Sequence, residues 1–72
     1  MKMEIVFTEH ANGRIKFKRI PYEDVIDGIK YPDETIKKHG KYYFRKKLQT
    51  GTIEICCERT ESNIKVITVY WL

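Results

Sequence analysis

The chain is 72 residues long, 42% hydrophobic and 33% charged, and its 14 Lys and Arg against 10 Asp and Glu leave a net charge of +4 at pH 7. That length leaves no room for a second domain, and this balance of apolar and charged residues excludes a disordered tail. No apolar run approaches the ~18 residues of a membrane span, and no charged-then-apolar leader opens the chain, so a soluble cytoplasmic domain is expected.

Met3–Phe7 (MEIVF) reads as a first strand, rich in β-branched and aromatic residues and free of breakers. Thr8–Lys18 supports two readings. Asn12-Gly13 between alternating residues is a hairpin signal, whereas Thr8 as a cap with Ala11 and Ile15 on one face describes a helix. The helix must absorb a mid-helix Asn-Gly at a cost of about 1 kcal/mol, so local propensity favours the hairpin. Pro21 then opens a second helix, with Glu23 and Asp24 in the first turn where the macrodipole favours acids. Tyr22, Val25, Ile26 and Ile29 form its apolar stripe, and Gly28 followed by Tyr31-Pro32 is read as its end.

Beyond Asp33 the pattern is that of strands. Glu34–Lys38 is a short edge candidate, His39-Gly40 a turn, and Lys41–Leu48 an alternating strand. Gln49-Thr50-Gly51 turns the chain into Thr52–Arg59, which sets Ile53, Ile55 and Cys57 on one face against Glu54, Cys56 and Glu58. Ile64–Trp71 closes the sheet and is apolar on both faces, so one set of its side chains is expected to face away from the helices. Such a patch would mark a partner surface. Cys56 and Cys57 are adjacent in a strand and point to opposite sides, which rules out an ordinary disulfide between them and reads as packing in a reducing compartment.

The charges cluster. Four of the six residues from Arg14 to Arg19 are cationic, six more cations lie between Lys37 and Lys47, and Glu23, Asp24, Asp27, Asp33 and Glu34 lie between those blocks. A basic block interleaved with aromatics favours phosphate-bearing partners. No metal-ligand spacing, phosphate loop or nucleophile triad is present, and no cofactor is expected.

His10-Ala11-x-x-Arg14-Ile15, Lys18-Arg19-Ile20 and Glu23-Asp24-Val25 form the first part of a longer pattern. Tyr31-Pro32-Asp33, the run Lys41–Lys47 (KYYFRKK), Glu54-Ile55 and Val66–Trp71 (VITVYW) complete it. Together they resemble a family of small uncharacterised domains allied to the RelE/ParE and BrnT-like toxins of toxin–antitoxin systems. Lys18 and Arg19 depart from that pattern, standing where the family usually has Arg and Gly. The resemblance implies that His10–Arg19 is helical, and a helix is expected over roughly Glu9–Lys18, with a second over Pro21–Ile29. It also implies an α+β domain in which two N-terminal helices pack on one face of an antiparallel sheet of about four strands, in the order β-α-α-β-β-β.

The same resemblance implies a toxin that cleaves RNA without metal or poisons another target, silenced by a small antitoxin-like protein. On a helix, His10, Arg14 and Lys18 share a face, with His10 as acid or base and the two cations as phosphate ligands. Arg19, Tyr43, Arg45 and Lys47 would extend the nucleic-acid surface, Tyr43 by stacking on an unpaired base. Arg14, Lys18 and Arg45 are expected to converge near His10. Glu58 and Tyr70 are weaker acid–base candidates on neighbouring strands. Three classes of function follow: a toxin-type endoribonuclease, a non-catalytic nucleic-acid-binding module, and an interaction domain that works as a homodimer or through a protein partner.

Overall fold

In the computed structural model, which describes residues 3–72, strand β1 (Glu4–Phe7) leads directly into helix α1 (Glu9–Lys18). Asn12-Gly13 therefore lies inside a helix, against its hairpin propensity. Burial decides the matter. Ala11 and Ile15 are 0% and 1% exposed, and burying a side chain such as Ile15 yields roughly 1.5–3 kcal/mol, more than the ~1 kcal/mol lost to the glycine. Asn12 also gains a partner, because its Oδ1 accepts a 2.7 Å hydrogen bond from the Tyr22 hydroxyl.

Helix α2 (Tyr22–Lys30) follows after a three-residue link, and Val25 and Ile29 of its stripe are buried. The helix ends at Lys30 with Tyr31 as its cap, at the Tyr31-Pro32 stop and one residue past the expected Ile29, so Gly28 lies inside it. Gly28 allows α2 to sit down on the sheet. A Cβ there would stand 2.6 Å from Ile55 Cδ1 and 3.2 Å from Lys46 Cβ.

Strands β2 (Glu34–Lys38), β3 (Lys41–Leu48), β4 (Gly51–Arg59) and β5 (Asn63–Trp71) form an antiparallel meander. Strand β1 joins its far edge, parallel to β5, in the order β1-β5-β4-β3-β2. The domain is α+β as expected, but its sheet has five strands and is mixed. The extra strand is the edge segment Glu34–Lys38, and the parallel pair arises because the helices lie between β1 and the meander.

The expectation of a second apolar face on β5 is overturned by a bulge. Cys56 pairs with Thr68 and Cys57 with Val66, which leaves Ile67 as the extra residue. That one-residue shift moves Val69 and Trp71 onto the same side as Ile64 and Val66. All four belong to or pack against one core with Ile53, Ile55 and Cys57. Thr8 ties the bulge to α1: its hydroxyl donates to the Ile67 carbonyl at 3.1 Å and accepts from the Ala11 N–H at 3.1 Å as the helix cap.

Candidate nucleic-acid interface

Helix α1 buries only Ala11 and Ile15 and turns most of its surface outward. His10, Gly13, Arg14 and Phe17 line a shallow depression there of about 320 Å³. Lys16, Lys18 and the capping Arg19 are exposed beside it. None of the four cations Arg14, Lys16, Lys18 and Arg19 forms an ion pair among the described residues. The expected juxtaposition of His10, Arg14 and Lys18 is thus present, one helical turn apart on an open face.

Cations near a helix C-terminus also complement its dipole, by about 0.3–1 kcal/mol each, so their presence alone says little about a ligand. Phe17 says more. Its ring is 76% exposed, with Lys18 Nζ 5.5 Å from the ring centroid. Sequence reading passed over this residue, although its place two positions beyond Ile15, off the Ala11–Ile15 stripe, was the available signal.

Tyr43, Arg45 and Lys47 do not join this surface. They alternate with Phe44 and Lys46 along β3, and Phe44 packs on the helix-side core, so the three point to the opposite side of the sheet. The expected convergence of Arg45 with Arg14 and Lys18 does not occur. Arg45 is committed elsewhere: its Nε donates to Glu54 Oε2 at 2.7 Å and its Nη1 to Glu34 Oε1 at 3.2 Å.

Glu54 is the centre of that opposite face. It is 6% exposed, and its second oxygen accepts a short hydrogen bond from the Tyr70 hydroxyl. Burial pushes the Glu54 carboxyl up, but the hydrogen bonds from Tyr70 and Arg45 and the Arg45 charge outweigh it and hold the group below its ordinary value. Burial and the same bond raise Tyr70 to about 12. A carboxylate held ionised and a phenol held neutral form a satisfied structural network, poorly matched to proton transfer near neutrality. Glu58 is outside it, paired with Lys41 at 3.6 Å. Cys56 is on this face and Cys57 in the core, both buried and unbridged as expected. No cluster of three or more His, Cys, Asp or Glu suited to a metal occurs among the described residues, and no helix there is long and apolar enough to cross a membrane.

A two-layer α+β domain with a cationic outer helix is the class of protein these features define. Residues 7–71 match the family described as a domain of unknown function, DUF4258, and the chain belongs to that family. No curated protein and no solved structure matches it.

Proposed function

We propose that this domain is the RNA-binding toxin component of a toxin–antitoxin pair, and that it holds single-stranded RNA on the outer face of α1. The observation that carries the reading is Phe17, an exposed ring among four cations that form no ion pair among the described residues. In this arrangement Arg14, Lys18 and Arg19 hold phosphates and Phe17 stacks on an unpaired base, the usual means of gripping a single strand. The assignment to the toxin group rests on the sequence resemblance and on the order of elements, two helices followed by an antiparallel meander.

Metal-independent cleavage is the second reading, favoured by the exposed His10 one turn from Arg14. In that reaction the imidazole takes the proton of a 2′-hydroxyl, whose oxygen attacks the adjacent phosphorus. The 5′-oxygen leaves with a proton returned by the imidazolium, and a 2′,3′-cyclic phosphate remains. Tyr70 and Glu54 take no part, being on the far side of the sheet.

Fluorescence anisotropy with a labelled single-stranded RNA tests the binding reading. With up to four phosphates neutralised, log affinity should fall with log salt at a slope of about −3. Phe17→Ala should weaken binding by about 1–3 kcal/mol, the usual worth of one stacked base. Binding indifferent to salt, or unchanged in both Phe17→Ala and Arg14→Ala, overturns it. Cleavage lost in His10→Ala with affinity retained would separate the second reading from the first.

A further inference from the structure

Among the described residues, the helical layer leaves one end of its own side of the sheet open. Helix α1 lies against β5, and α2 meets β3 and β4 where Gly28 touches Ile55 and Lys46. Lys46 Nζ reaches back to the Tyr31 carbonyl at 2.9 Å and closes that end of α2. Phe44 and Tyr42 come next along β3, and no residue of α1 or α2 lines the space beside their rings. Their rings lie nearly parallel, 5.9 Å between centroids with an interplanar angle of 12°. Together with Met3 and Ile64 they line an open groove of about 330 Å³.

The rim of this groove is cationic. Arg59 lines it directly, and Lys37 sits with its Nζ 5.4 Å from the Tyr42 ring centroid. Both are exposed, and neither forms an ion pair among the described residues.

We propose that this groove is a docking site for an acidic, amphipathic segment of a partner protein. An apolar anchor from the partner fills the space over Phe44 and Tyr42, and flanking carboxylates meet Arg59 and Lys37. Charge selects this occupant. A second copy of the chain would bring another +4 to a basic rim, whereas an acidic segment neutralises it. Two rim cations are too few to track a nucleic-acid backbone, and the lining offers few polar groups to read a base. The apolar lining supplies affinity and the rim supplies discrimination, as in other grooves that accept an amphipathic helix.

The groove lies apart from the depression on α1, so it can be tested separately from RNA binding. The probes are two blocked amphipathic peptides about four helical turns long. Both carry the same leucine and phenylalanine stripe, with glutamates at the other positions of one and lysines at those of the other. They are titrated into the full chain labelled with ¹⁵N. The glutamate peptide should shift the amides of Phe44, Cys57 and Ile64 and bind about tenfold more tightly than the lysine peptide, as two exposed ion pairs allow. Arg59→Glu, an exposed position where folding can be checked by a thermal melt, should abolish that preference, and Arg14→Ala should leave it unchanged. Equal binding of the two peptides, shifts centred on α1, or no binding by about 1 mM overturns the proposal. So does a dimer in sedimentation that buries the same residues without peptide.

Discussion

A phenylalanine left 76% exposed forgoes much of the roughly 1.5–3 kcal/mol that burial would return, so Phe17 contributes little to the fold. Its exposure makes Phe17→Ala a clean substitution: affinity for RNA should change while the melting temperature does not. Two positions further on, Arg19 takes the left-handed conformation, with φ 55° and ψ 46°, and its N–H closes the helix on the Ile15 and Lys16 carbonyls. Glycine is the residue that adopts this conformation without strain. Arg19→Gly should therefore raise stability by about 0.5–1 kcal/mol, or a few degrees in Tm, while Arg19→Ala gains nothing because it keeps the Cβ. Thermal melts of the two variants check this. The arginine that occupies so unfavourable a backbone position carries one of the four exposed cations of α1, and loss of RNA affinity in the stabilised Arg19→Gly variant would connect the two facts.

Among the elements, the junction of α1 with the β5 bulge has the most consequence. Thr8 caps the helix and satisfies the carbonyl of Ile67, the residue the register skips. Thr8→Val keeps the shape but loses both hydrogen bonds, and should cost about 1–2 kcal/mol in chemical denaturation; Thr8→Ser should restore most of it. Equal losses in both variants would show that packing, not the hydroxyl, holds the junction. The bulge itself was invisible to strand alternation, because a period-two pattern has no mark for one inserted residue. Ile64 and Val66 against Ile67, Val69 and Trp71 look like two faces until the shift between Cys56 and Cys57 aligns them. Tyr31-Pro32 marked the end of α2 correctly, but the role of Gly28 was hidden in a related way. A glycine near a helix end is a common stop signal, but here the close approach of Ile55 is what requires it.

At the scale of the whole molecule, the two sides of the sheet differ in chemistry. The helix side is an apolar core with an open groove, and the other side is a polar network around Glu54. That difference sets the response to pH. Glu54 is held below its ordinary value, so its stabilisation is present above about pH 4.5 and lost as pH falls through the folded-state value. Tyr70 and Cys57 are both raised to about 12, from ordinary values of 10.0 and 9.0. A raised value means that the folded state keeps its proton longer than the unfolded chain. Stability from these groups is therefore intact below pH 9 and drains away between pH 9 and pH 12. Denaturation midpoints should be flat through the neutral range and fall steeply over that alkaline window. Cys57→Ala should make the fall shallower, and an unchanged slope in that variant would count against the assignment.

Sequence by itself determined the existence and approximate bounds of α2 and the three long strands, since periodicity and turn residues are local properties; α1 over Glu9–Lys18 was implied only by the family resemblance, against the hairpin signal of Asn12-Gly13, and the burial of Ala11 and Ile15 decided it. Given that helix, the spacing of His10, Arg14 and Lys18 places them on one face, because it matches the helical turn. Only the tertiary structure decided that β1 pairs in parallel with β5, that the bulge at Ile67 brings Ile64, Val66, Val69 and Trp71 to one core, and that Arg45 faces away from α1 and is held by Glu34 and Glu54. The physical reason is the range of the interactions. Capping and periodicity act over a few neighbouring residues, whereas register, sheet order and ion pairing join segments tens of residues apart, where one slipped residue reverses which side of the sheet a side chain occupies.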